Sequence, residues 1–117
     1  MNSLKNEKLK IKSYIEKDDF ITNNGRVMRM TDLFGPDYTK LRSIEAVLAD
    51  ENVGQGEFLE SVNFLVEEGY LKLRDITTKA TIPELCQDVE YQNLETKQTG
   101  KGKRLMRGNI IDKLIEV

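Results

Sequence analysis

At 117 residues and a formal net charge of −2, the chain fits one domain, because two separate cores would each be too small to hold. Hydrophobic residues make up 38% and charged residues 32%, which is apolar enough in blocks to exclude a disordered chain. The complete lack of histidine removes Cys-His, Ser-His-Asp and HExxH chemistry together with the commonest zinc ligand, and Cys86, the single cysteine, cannot form an internal disulfide.

The same exclusions extend to cofactors and membranes. Neither GxxxxGK[ST] nor GxGxxG occurs, and the Gly-Lys-Gly-Lys run at 100–103 is not a phosphate loop. The acids fall on polar helix faces, where solvation explains them without a catalytic pair. No enzyme activity, cofactor or metal is expected. No apolar run approaches the roughly 20 residues of a membrane helix. The stretch Met1 to Lys12 is charged where a signal peptide would be apolar, so the protein is expected in the cytoplasm, with Cys86 a partly buried structural thiol.

In chain order, Leu4, Ile11, Tyr14 and Ile15 lie at helical spacing, so Leu4 to Lys17 reads as a first amphipathic helix. Asn23-Asn24-Gly25 predicts a turn, because Asn and Gly tolerate positive φ. Arg26 to Met30 alternates in part and reads as a short strand, and Gly35-Pro36 then breaks the chain. From Asp37 as N-cap, Leu41, Ile44, Val47 and Leu48 predict a second helix ending near Asp50. A third follows on Phe58, Leu59, Val62, Leu65 and Val66, with Gly69 at its C-terminal stop.

After Gly69 the period changes from helix to strand. Tyr70 to Arg74 alternates apolar and basic side chains, and Val89 to Thr96 can return antiparallel to it, making a hairpin with a long tip around Pro83. Thr99 can cap a short last helix with Leu105 and Met106 inward and Gly108 at its end. Residues 109–117 form a tail in which Ile110, Ile111, Leu114 and Ile115 either pack on the core or meet another chain. The fold class expected is therefore α+β, one domain over 1–117 with its core in about 4–108.

Helix, short strand, helix, turn, helix and hairpin is the order of a winged helix-turn-helix domain, and residues 4–108 resemble that family. Two strings sharpen the likeness. Phe58 to Leu71 looks like the family's third helix running through "LxxxGY" into the first wing strand, and Thr99 to Gly108 is similar to the "TxKGxxLLxG" piece that follows the wing in many bacterial regulators. The chain looks closer to small bacterial, phage and mobile-element proteins of this kind than to well-studied regulators. The resemblance implies double-stranded DNA as partner and a role in transcription regulation.

If so, the third helix would meet the major groove with Glu57, Glu60, Ser61, Asn63, Phe64, Glu67 and Glu68 on its polar face. That face is acidic and would repel a polyanion. Phosphate contacts would have to come from the acid-free run Lys97, Lys101, Lys103, Arg104 and Arg107, with Lys72 and Arg74 on the wing strand. Lys40 and Arg42, and Lys5, Lys8, Lys10 and Lys12, could extend this surface. Ile82 to Glu95 carries four acids and no base just before the basic run, so the charge is polarised. The alternative is a winged-helix protein-interaction module in which the acidic helix and an exposed Phe64 contact a partner protein and DNA is not touched. A homodimer interface could come from the first helix or from the tail.

Overall fold

A computed structural model describes residues 19–85 and 91–117. The expected helix at Leu4 to Lys17, its lysines, and Cys86, Val89 and Glu90 lie outside the described residues.

Residues 19–34 are one continuous helix, α1, which replaces both the expected turn at Asn23-Asn24-Gly25 and the expected strand at Arg26 to Met30. Tertiary partners override the local turn preference. Asn23 and Asn24 are buried, with Asn23 Nδ2 donating to Glu57 Oε2 at 3.0 Å and Asn24 Nδ2 donating to the Leu114 carbonyl at 2.8 Å. Gly25 serves close approach: a Cβ there would sit 1.7 Å from the backbone oxygen of Glu116. The buried positions Asn24, Val27, Met28 and Thr31 recur at three and four residues, a helical stripe that the partial alternation of 26–30 obscures.

Gly35, at φ 108, ends α1, and the chain enters a two-residue strand, β1 (Thr39–Lys40). Helix α2 (Leu41–Ala49) begins three residues later than expected, with Lys40 rather than Asp37 at the N-cap and no side-chain cap. Strand pairing takes the intervening residues. Leu41, Ile44 and Leu48 are buried, whereas Val47, expected beside them, is exposed. Helix α3 (Gln55–Glu67) buries Phe58, Ser61, Val62 and Leu65 and stops at Gly69, whose φ of 81 suits only glycine at no steric cost.

Strand β2 (Leu71–Asp75) follows at once, then β3 (Thr81–Ile82), a 3₁₀ turn at Tyr91–Asn93, and β4 (Leu94–Gln98). The return strand thus starts later than Val89, and the small hairpin with β3 was not anticipated. All pairings are antiparallel, in the order β1-β4-β2-β3. Helix α4 (Gly100–Met106) is capped by Thr99, whose Oγ1 accepts from the Gly102 N–H, and Gly108 has φ 81. In the tail, Ile115 is buried against the core and the Glu116 N–H donates to the Ile21 carbonyl, while Ile111 is exposed. The described residues are thus α+β: helices on one face of an antiparallel sheet, around a core that includes Met28, Leu41, Phe58, Leu65, Leu73 and Leu105.

Candidate functional site

Strand alternation decides which charges the sheet presents. Leu71 and Leu73 of β2 and Leu94 of β4 are buried, so Lys72, Arg74, Glu95 and Lys97 fall on the opposite, outer face. Register arranges them in rows. Lys40, Glu95, Arg74 and Thr81 are successive cross-strand partners over all four strands, and Lys72 lies opposite Lys97.

Glu95 is only 8% exposed and is held from two sides, by the Arg74 guanidinium and by Lys79 Nζ at 3.6 Å. Arg74 also stacks over Tyr38, with 3.7 Å from Cζ to the ring centroid, and Lys97 Nζ lies 5.0 Å from the same centroid. Arg74 is therefore engaged internally. Lys40 and Lys72 are exposed, and Lys97 is partly so.

A second basic group lies on α4. Lys103, Arg104 and Arg107 are exposed, and Lys103 and Arg107, one turn apart, border a cleft of about 430 Å³ with Asp32, Gly35, Pro36 and Gln98. Lys101 is set apart from them. Its Nζ donates to the Glu68 carbonyl at 2.7 Å and lies 4.5 Å from the Tyr70 ring, so it supplies the cation that the last turn of α3 lacks in its own sequence.

Four segments meet at this corner. Thr99 Oγ1 donates to the Gly69 carbonyl, the Thr99 N–H donates to the Tyr70 carbonyl at 3.0 Å, and Gly102 lies so close that a Cβ would be 2.2 Å from the Tyr70 oxygen. The Tyr70 hydroxyl donates to Asp112 Oδ2 at 2.7 Å. Burial, then that hydrogen bond and the negative charges of Asp112 and Glu68, push the Tyr70 phenol up to about 12.

The polar face of α3 differs from the expected one. Glu57, Glu60, Glu67 and Glu68 are exposed, but three residues expected beside them are spent on the fold. Ser61 is fully buried, Asn63 Oδ1 accepts from the Leu85 N–H at 3.1 Å, and Phe64 packs edge-to-face on Phe20 with 5.0 Å between ring centroids. Helix α1, absent from the expected layout at this point, supplies Phe20 against Phe64. Glu57 and Glu60 line a cleft of about 240 Å³ with Asp19, Phe20 and Asn23.

Of the expected phosphate contacts, the fold brings Lys72, Arg74 and Lys97 together on the sheet and Lys103, Arg104 and Arg107 on α4. It assigns Lys101 to the cap of α3. Sequence reading gave no role to Tyr38 or Glu95, whose importance depends on a strand register that periodicity does not contain. Among the described residues no group of three or more acidic or cysteine side chains could hold a metal ion, and no helix is long and apolar enough to cross a membrane. Comparison with family models, curated proteins and solved structures gave no match, so the surface is read from its own geometry.

Proposed function

We propose that this chain is a winged-helix module that binds double-stranded DNA, as a regulator of the bacterial or phage type. The observation that carries the reading is topological: β1, between the first two described helices, pairs with β4, the return strand of the β2–β4 hairpin, directly after α3. In a winged helix the strand between the first two helices likewise closes the sheet against the wing. Exposed Lys103, Arg104 and Arg107 follow the hairpin at once and add a basic group suited to phosphates. The test is fluorescence anisotropy of random-sequence duplex DNA at rising salt. Binding that weakens steeply with salt is expected. A protein that leaves the anisotropy unchanged even at low salt, and selects no operator from a duplex library, does not have this function.

A second reading has its own observation. Glu57, Glu60, Glu67 and Glu68 are exposed, and no ion pair to any of them forms among the described residues. Such a surface suits a basic protein partner better than a groove lined by phosphates. This reading gains if a Lys/Arg-rich peptide binds the protein, loses affinity for a Glu60→Gln, Glu67→Gln variant, and duplex DNA does not compete.

A further inference from the structure

The outer face of the sheet sets like charges against one another at a structural cost. Lys72 and Lys97 are direct cross-strand partners, and like charges in that position destabilise a sheet. The carboxylate that shares their face, Glu95, forms no ion pair with either. Glu95 is directed to Arg74 and Lys79 and is almost fully buried, so Lys40, Lys72 and Lys97 project around a carboxylate that is already neutralised.

We infer that this outer sheet face, with Lys72 and Lys97 as its centre and Lys40 at its edge, is the surface that meets the phosphate backbone of duplex DNA, while α3 is turned away from it. The inference rests on the DNA-binding reading above and deepens it by naming the surface. Charge complementarity identifies the occupant: strands about 4.8 Å apart carry flexible lysine stems that adapt to neighbouring phosphates. Lysines on short strands supply point charges to phosphates rather than a fixed pattern for base edges, so the contact is sequence-tolerant.

Tyr38 argues for duplex over single-stranded nucleic acid. A single-strand platform offers open aromatic faces for bases to stack on, whereas the Tyr38 ring on this face is covered by the Arg74 guanidinium at 3.7 Å. The acids of α3 supply the opposite argument on the other surface. Their charge would face the phosphates in a groove-reading arrangement, and none of these carboxylates forms a described ion pair.

The experiment is duplex-DNA anisotropy across a salt series with the full chain, a Lys72→Ala, Lys97→Ala variant, a Lys72→Arg, Lys97→Arg variant and a Lys103→Ala, Arg104→Ala, Arg107→Ala variant. The alanine pair on the sheet is expected to lower the slope of log K against log salt by about 2 and to weaken low-salt binding at least about tenfold. Its melting temperature should equal or exceed that of the parent, since a repulsion is removed, and the arginine pair should bind as the parent does. If the parent binds with a steep salt slope and the alanine pair binds equally well, the inference falls and the DNA-binding reading stands. If the arginine pair loses binding as the alanine pair does, charge is not the cause and the inference also falls. If single-stranded DNA competes as well as duplex, the duplex assignment is wrong. A parent that binds no DNA at all overturns both.

Discussion

The outward surface of α3 and the outer face of the sheet lie over one core yet hold their charges in different ways. On α3 the glutamates are exposed and form no described ion pair; on the sheet, register sets Lys72 against Lys97, with Glu95 drawn in to neutralise Arg74 and Lys79. The difference shows why the net charge of −2 is a poor guide to partners. What a surface offers depends on which charges are neutralised locally, and that is set by pairing the composition does not record. It also shows the surfaces to be joined at one corner, where Lys101 of α4 caps α3 and Thr99 ties Gly69 to the start of the sheet.

The largest effect should come from the shared core. Phe58 of α3 is fully buried in the cluster that contains Leu71 and Leu73 of β2. Phe58→Ala is expected to cost about 3–5 kcal/mol. Both surfaces should be lost together, in a single urea transition followed by circular dichroism. Two separate transitions would show that helices and sheet hold independent cores.

Next is the corner itself. In an open helix Gly102→Ala would stabilise by about 0.5–1 kcal/mol. Here the new Cβ meets the Tyr70 carbonyl, a backbone atom that cannot swing away, so a net loss of up to about 3 kcal/mol is expected. A variant as stable as the parent would mean that α4 shifts freely against β2, and that the orientation of Lys103 and Arg107 relative to the sheet is not fixed.

Tyr70 gives a smaller effect with a pH signature. Its folded-state pKa is raised from 10.0 to about 12, so folding favours the protonated phenol. The stability this contributes is complete below pH 10 and is lost as pH rises from 10 toward 12, on the order of 2 kcal/mol in all. Urea denaturation across that window should show a steeper loss in the parent than in Tyr70→Phe, which has no proton to release. Parallel loss in the two proteins would mean that the phenol ionises as easily in the fold as out of it.

Legibility in the sequence followed the range of the forces involved. The third helix, its glycine stop and the Thr99 cap were readable because each rests on contacts within a few residues: Gly69 needs positive φ, and Thr99 reaches only to Gly102. The α+β class came from the change of period after Gly69. Residues 23–30 depart from their local signals because their outcome is decided at a distance, with Asn24 answering to Leu114 and Gly25 to Glu116, some ninety positions away. The start of α2 moved because β4 recruits Thr39 and Lys40. For the site, residue types pointed to a basic surface, but only register separates Lys72 and Lys97, which project together, from Lys101, which caps a helix. The edge-to-face contact of Phe64 with Phe20 depends on α1, which the local signals at 23–30 do not reveal.

The comparison is sharpest where the expected change is smallest. Glu60 and Glu67 are exposed on α3, and neither takes part in a described ion pair. Glu60→Lys with Glu67→Lys therefore reverses charge on that surface with little effect on folding, within about 0.5 kcal/mol. If the sheet meets DNA, these positions act on it only through the long-range field. The variant should then gain some affinity at very low salt, where charges are felt over about 30 Å, and the gain should vanish near physiological salt, where screening sets in at about 8 Å. The slope of log K against log salt should be close to that of the parent. If α3 instead enters the groove, two new cations stand at the phosphates, the slope steepens by about 2, and the gain persists at moderate salt. Salt dependence rather than affinity thus separates the two surfaces, because a nearby charge and a contacting one can both tighten binding, but only the contacting one releases counterions.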